Sequence, residues 1–199
     1  MPPRQVIFGG TFDPPHIGHL AVVRCAQAHL AAEAFHVVVA NDPWQKSAQR
    51  SVTPASHRLA MARLAFGGLD GIVVSDLEIR RGGPTYTIDT VAELERPDTE
   101  TVLVVGPDAA AGVSSWHRTG ELAGCVTLAV VQPPGEHPIR IEGWRTETVY
   151  MAPVEASASR VRESLAGRGG CANAGAAAKY VTAPVMGYIV EHGLYSPSV

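Results

Sequence analysis

His16 and His19 stand three residues apart inside the run GGTFDPPHIGHL, Gly9 to Leu20, where an apolar stretch hands over to a helix. Imidazoles at this spacing can project to the same side of a helix. Gly9 and Gly10 ahead of them let the backbone turn sharply and approach a ligand closely. Pro14 and Pro15 stiffen the loop, and the pattern predicts a helix beginning near Gly18. Its unpaired N–H groups and positive dipole end then face the same place as the imidazoles. This suits a polyphosphate, whose oxygens favour protonated imidazole, so each ring donates to them and offsets their charge. Zinc ligation is a weaker alternative, since no third ligand sits at a supporting spacing. A structural bond to backbone explains one histidine better than two beside a glycine-rich turn. Thr11 suits its own loop as well as it suits a phosphate.

The elements that must hold these groups are legible around them. Continuous β-rich runs at Val6–Phe8, Phe35–Ala40, Ile72–Val74, Val102–Val105 and Val126–Val131, with a weaker one at Thr148–Tyr150, predict strands covered on both faces. Leu20, Val23, Ala26 and Leu30 mark one helical stripe between them, and Leu59, Ala62 and Phe66 another, opened by Thr53-Pro54 as cap and first-turn proline. Strand–helix alternation predicts an α/β fold with a doubly wound, mostly parallel sheet. Ligands gather beyond the carboxyl ends of such strands. Gly9–His19, Asn41–Lys46, Gly106–Asp108 and Gln132–Gly135 are therefore the segments to watch. Further on, Ser157 reads as the cap of a helix through Leu165. GRGGCANAGAAA reads as a glycine-rich loop with a short helix, and Pro184 opens a last helix that Gly193 stops. Residues 1–199 read as a single domain, helical from about 157 to 199.

Composition narrows the partners. The chain has 199 residues, 46% hydrophobic and 18% charged, which fits an ordinary globular domain. A net charge of −3 gives no general attraction to nucleic acid or an anionic membrane, so phosphate must be met by a local pocket. Cys25, Cys125 and Cys171 are odd in number and scattered, which predicts reduced thiols and neither a disulfide framework nor a cysteine-built metal site, and no protein metal ligand is expected. No run long enough to span a membrane and no export signal is visible, so a cytoplasmic location is expected. A homo-oligomer stays open.

The HIGH of His16–His19 resembles the signature of the HxGH nucleotidyltransferases, and the longer GGTFDPPHIGHL is similar to the form in nicotinate-nucleotide adenylyltransferases. Further segments follow in that family's order: PWQK (Pro43–Lys46), RGGPTYTIDT (Arg81–Thr90), GPDAAAGVSSWH (Gly106–His117), SASRVR (Ser157–Arg162) and PVMGYIVEHGLY (Pro184–Tyr195). The resemblance covers essentially the whole chain. It implies a Rossmann-like nucleotidyltransferase fold that joins ATP and nicotinate mononucleotide into nicotinate adenine dinucleotide with loss of pyrophosphate. Mg²⁺ is expected on the triphosphate, keeping several waters.

The resemblance also implies roles for individual residues. His16, His19, Lys46 and Arg162 are the expected catalytic groups. Gly9, Gly10, Thr11, Phe12, Gly18, Gly106, Asp108, Ser157 and Ser159 are expected to meet ATP with them. Lys46, Tyr86, Thr87 and Trp116 are expected to meet the acceptor. A plain helix N-cap is the alternative for Thr87 and the lesser alternative for Asp108. The chain departs from the family at Ala158, where a hydroxyl is usual, at Gln132, where arginine is common, and at Trp44-Gln45 in the lysine loop. These departures leave open transfer to another acceptor, such as nicotinamide mononucleotide or phosphopantetheine, and a nucleotide binder without turnover.

Overall fold

Valine-rich runs with no polar face must be covered on both sides. In the computed structural model of the chain, which describes residues 2–43, 51–166 and 174–196, they form one sheet. Its strands are β1 (Arg4–Gly10), β2 (Ala34–Val39), β3 (Ile72–Ser75), β4 (Glu100–Val105), β5 (Val126–Gln132) and β6 (Arg145–Tyr150). They lie in the order β3-β2-β1-β4-β5-β6, every adjacent pair parallel. The doubly wound expectation holds. The weak signal at Thr148–Tyr150 belongs to a longer strand that pairs with β5 from Arg145 onward.

Helices cover both faces. They are α1 (Ile17–Leu30), α2 (Ala55–Phe66), α3 (Leu77–Arg81), α4 (Thr87–Leu94), α5 (Pro107–Ala111), α6 (Thr119–Cys125), α7 (Ala158–Ala166), α8 (Ala174–Ala178) and α9 (Ala183–Glu191). Strand period decides which face each side chain serves. Val6, Phe8, Val102 and Val104 pack with Val23, Ala26 and Leu30 of α1 and with Ala62 and Phe66 of α2. Ile7, Leu103 and Val105 pack on the other side with Ile88 and Val91 of α4 and Leu122 of α6. A third cluster joins Met61 of α2 to Val161 and Leu165 of α7 and to Val185 and Ile189 of α9. Burying each of the Val, Leu, Ile, Met and Phe side chains among them is worth about 1.5–3 kcal/mol. No helix among the described residues is long and apolar enough to cross a membrane.

His16 takes the N-cap of α1, which begins at Ile17, in line with the start expected near Gly18. Two other helix starts differ from the reading above. Pro54 takes the N-cap of α2, where Thr53 was expected. The reason is tertiary: the Thr53 carbonyl accepts from Arg58 Nε at 2.8 Å, and its hydroxyl bonds Tyr195. In α9, Ala183 comes before Pro184. Ser157 behaves as expected, its Oγ accepting from the Arg160 N–H at 3.2 Å. Gly193 also stops α9 as expected, at φ 60. Most of the glycine-rich run, residues 167–173, lies outside the described residues, and its alanine tail forms α8.

Chain order sends β1 to β2 on one side and pairs it with β4 on the other, so the strand order reverses between β1 and β4. Loops diverge there and leave a crevice at the carboxyl ends. The loops are tied by Arg58, only 1% exposed. Besides Thr53, its guanidinium donates to the carbonyls of Thr11 (2.9 Å), Ala40 (2.6 Å) and Asn41 (2.7 Å). Hydrogen bonds from a charged donor to buried carbonyls are stronger than neutral ones, and their loss strands the acceptors. Arg58→Met should therefore lower stability by about 3 kcal/mol, read as a Tm roughly 10 °C lower in thermal unfolding.

Candidate active site

The first helix starts on two stacked rings. His16 is extended at φ −136, and its N–H donates to His19 Nδ1 at 3.2 Å. A backbone N–H only donates, so Nδ1 of His19 is bare and Nε2 carries the hydrogen. The rings lie 3.7 Å apart, centroid to centroid, 28° from parallel. Gly18 makes room for this, since a Cβ there would come within 2.9 Å of His16 Nδ1. Beneath the pair sits Phe12, edge-on to His19 at 5.1 Å and packed on Phe8 and Phe66.

Burial lowers the His16 pKa to about 4, so its ring is neutral near pH 7 in the ligand-free chain. The expected protonated ring is thus not the resting state. Its Nδ1 is buried without a hydrogen-bond partner among the described residues. Anionic oxygens at the accessible edge of the ring would pull the pKa back up.

Helix α7 brings Arg162 to the same loop. Its Nη1 donates to the Asp13 carbonyl at 2.7 Å and its Nη2 to Ser159 Oγ at 3.0 Å. Asp13 is buried, and its carboxylate accepts from the Tyr195 hydroxyl at 2.8 Å. Burial and the Asp13 charge hold the Tyr195 phenol well above its ordinary pKa.

Beside this cluster, a cleft of about 600 Å³ opens over the ends of β1 and β4. Gly9, Gly10 and Thr11 line one side of the sheet switch, and Gly106 and Asp108 the other. Tyr86, Thr87, Trp116 and His117 line its far end, with Tyr86 stacked on His117 at 4.2 Å. Phe8 joins the two regions, lining the cleft while its ring lies 6.2 Å from that of His19.

The structure therefore brings together most of the residues singled out above, and it revises several. Phe12 is 1% exposed in the core, so its side chain supports His19 and cannot touch ATP. Gly10 exists for that ring, because a Cβ there would meet Phe12 at 2.6 Å, while Gly9 and Gly106 face open space. Ser157 and Ser159 accept from Arg160 N–H and Arg162, and each still has its own hydroxyl hydrogen to donate to a phosphate oxygen. Gly106 is the cap of α5 and Tyr86 that of α4, so neither Asp108 nor Thr87 is an N-cap. Gln132, read as a missing cation, is buried and binds the His137 carbonyl and Ile139 N–H. Trp144 is half-buried against the core. Lys46, Trp44, Gln45 and Cys171 lie outside the described residues.

Sequence reasoning missed Glu78, Thr85, Thr90 and His117 in the cleft, and Arg58 and Tyr195 behind it. The five-residue helix carrying Glu78 is too short to show a period.

A model of the cytidylyltransferase-like family matches residues 7–164. A relative from Bordetella petrii is 38% identical over 95% of this chain and 97% of its own length. One from Methylibium petroleiphilum is 37% identical over 98% and 94%. Both carry the name "Probable nicotinate-nucleotide adenylyltransferase". The Plasmodium falciparum nicotinic acid mononucleotide adenylyltransferase complexed with NaAD aligns at TM-score 0.77 and 19% identity over 97% of both chains. Its complex with APC aligns at TM-score 0.75 and 20% identity. Both structural likenesses are of fold.

Between about pH 4 and 6.5 the unfolded chain protonates His16 and the folded chain does not. Stability is therefore full above the unfolded pKa and falls as pH drops through this window, by up to about 3 kcal/mol. Burial of His36 acts in the same direction, so a variant is needed to isolate His16. Urea unfolding of His16→Gln at several pH values should show a shallower acid loss than the parent chain. Gly18→Ala should stay folded by circular dichroism yet lose at least about tenfold in turnover, because the new methyl displaces the His16 ring.

Proposed function

This chain is a member of the cytidylyltransferase-like family and of its nicotinate-nucleotide adenylyltransferases, and we propose that it transfers the adenylyl group of ATP to nicotinate mononucleotide.

 

Put plainly, the chain is a nicotinate-nucleotide adenylyltransferase of the cytidylyltransferase-like family, an enzyme of NAD biosynthesis. The proposed products are nicotinate adenine dinucleotide and pyrophosphate. The observation that carries this reading is the stacked pair His16–His19 at the start of α1, in ring contact with the wall of the strand-end cleft.

The acceptor's phosphate has its second pKa at about 6, so near neutral pH it is already largely dianionic. It attacks the α-phosphorus of ATP in line, with no general base and no covalent enzyme intermediate. The protein must align two anions and relieve their repulsion. His19 donates through Nε2, and His16 gains a proton as phosphate oxygens reach it, so both steady the charge growing on the leaving pyrophosphate. Arg162 turns its planar fork to the β- and γ-phosphates, with Ser157 and Ser159 beside it. Lys46 neutralises phosphate from the loop after β2. Gly9 and Gly106, with open space where a side chain would be, let backbone approach the nucleotide. Asp108, exposed at the cleft, accepts from ribose hydroxyls, and it is the carboxylate there that would help hold Mg²⁺ on the triphosphate, an ion whose positive charge would offset that of the phosphates. Trp116, half-buried at the far end, stacks on the pyridine ring, and the first N–H groups of α4 receive its carboxylate.

Pyrophosphate release from ATP should be fastest with nicotinate mononucleotide, ahead of nicotinamide mononucleotide and phosphopantetheine. A different preferred acceptor would overturn the substrate, and ATP binding without turnover on any of them would overturn the enzyme reading. His16→Ala and His19→Ala should each lower kcat by about 10²–10³, the scale of one lost transition-state donor. Trp116→Ala should raise the acceptor KM more than the ATP KM, and the opposite split would move Trp116 out of the acceptor site.

A further inference from the structure

Glu78 on α3 lines the cleft, yet it is only 4% exposed. Its Oε1 accepts from Thr90 Oγ1 at 2.5 Å, and that hydroxyl oxygen accepts in turn from Arg81 Nη2 at 3.2 Å. A hydroxyl has one hydrogen, so the relay runs in a single direction, from Arg81 through Thr90 to Glu78. Arg81 is itself held by Glu93 at 2.6 Å. Glu78 Oε2 is buried with no hydrogen bond among the described residues. Burial raises the pKa of this carboxyl, and the hydroxyls of Thr90 and Thr85, with the Arg81 charge and the Asn41 N–H, oppose that rise.

These groups meet at a seam. The Asn41 N–H donates to Thr85 Oγ1 at 3.1 Å, its side-chain amide to the Gly83 carbonyl at 2.8 Å, and the Thr85 N–H to the Asp42 carbonyl at 3.2 Å. The loop after β2 is thus laced to the segment that enters α4, and that segment carries Tyr86 and Thr87 into the cleft. An apolar side chain would fill the place of Glu78 at less cost in desolvation. A carboxyl kept there needs another reason, and its neighbours on the cleft wall are those of the acceptor end.

We propose that Glu78 is a positioning residue for the acceptor: through Thr90 it fixes the first turn of α4, and with it Tyr86 and Thr87, at the angle the pyridine nucleotide meets. This rests on the adenylyl-transfer reading above. It predicts a selective effect, because the histidine end of the site does not depend on the relay.

The test is steady-state pyrophosphate release with each substrate varied in turn, for the parent chain, Glu78→Ala, Glu78→Gln, Thr90→Val and the Glu78→Ala/Thr90→Val double variant. Glu78→Ala and Thr90→Val should each raise the acceptor KM about tenfold and leave the ATP KM within about twofold. The double variant should be no worse than Glu78→Ala, as expected of two parts of one relay. Glu78→Gln keeps an oxygen facing Thr90 and should stay within about threefold of the parent. Equal rises in both KM values would make Glu78 a purely structural residue and overturn the proposal. A glutamine variant as impaired as the alanine one would mean that the charge meets the acceptor directly, and would overturn it too. If Glu78→Ala fails to fold, Thr90→Val decides alone, since it loses one hydroxyl and keeps its shape; an unchanged acceptor KM there refutes the relay. Calorimetric titration of nicotinate mononucleotide into the same variants reads the change as Kd. It therefore separates failure of this inference from failure of turnover itself.

Discussion

The site depends on one buried guanidinium. Arg58 gathers carbonyls of Thr11, Ala40, Asn41 and Thr53, which belong to the loop after β1, the loop after β2 and the entry to α2. These carbonyls have no strand partner once the chain leaves the sheet, and a planar donor with a fixed fork can satisfy several of them at once. From Thr11 the loop runs on to Phe12 and the histidines. From Asn41 a second set of hydrogen bonds reaches Gly83 and Thr85, at the opposite end of the cleft. The two ends are thus held to a common point on α2.

Around that point, apolar packing and phosphate chemistry are joined in one residue. Phe12 belongs to the core by its ring and to the site by its backbone, and its positive φ of 50 is carried by the surrounding aromatic contacts. It presses His19 up against His16. Burial leaves His16 neutral where it stacks on His19. On the reading proposed above, phosphate oxygens would charge His16 in place, beside the permanent charge of Arg162.

The four glycines around the β1 and β4 turns divide by what surrounds them. Gly10 and Gly18 are small because aromatic or imidazole rings of this chain already occupy the space. Gly9 and Gly106 line the cleft, and among the described residues nothing lies within 4 Å of where a side chain would start, so backbone there is open to a ligand. The same letter in the sequence thus serves packing in two places and ligand access in two others.

Much of this was legible in the order of residue types. Strand placement, the parallel doubly wound sheet, the helical stripes and the cluster at Gly9–His19 follow from periodicity, turn chemistry and short-range spacing, all of which act within a few residues. Glu78, Arg58 and Tyr195 were not legible, because nothing beside them in the chain reveals their partners. Arg58 meets Thr11 across 47 positions and Tyr195 meets Asp13 across 182, and no local pattern encodes either. The sequence by itself determined which groups could meet phosphate and which segments would become strands. Only the tertiary structure decided which glycines open to a ligand, which hydroxyls are already engaged and how far His16 is desolvated, because burial and long-range contact exist only once distant segments are brought together.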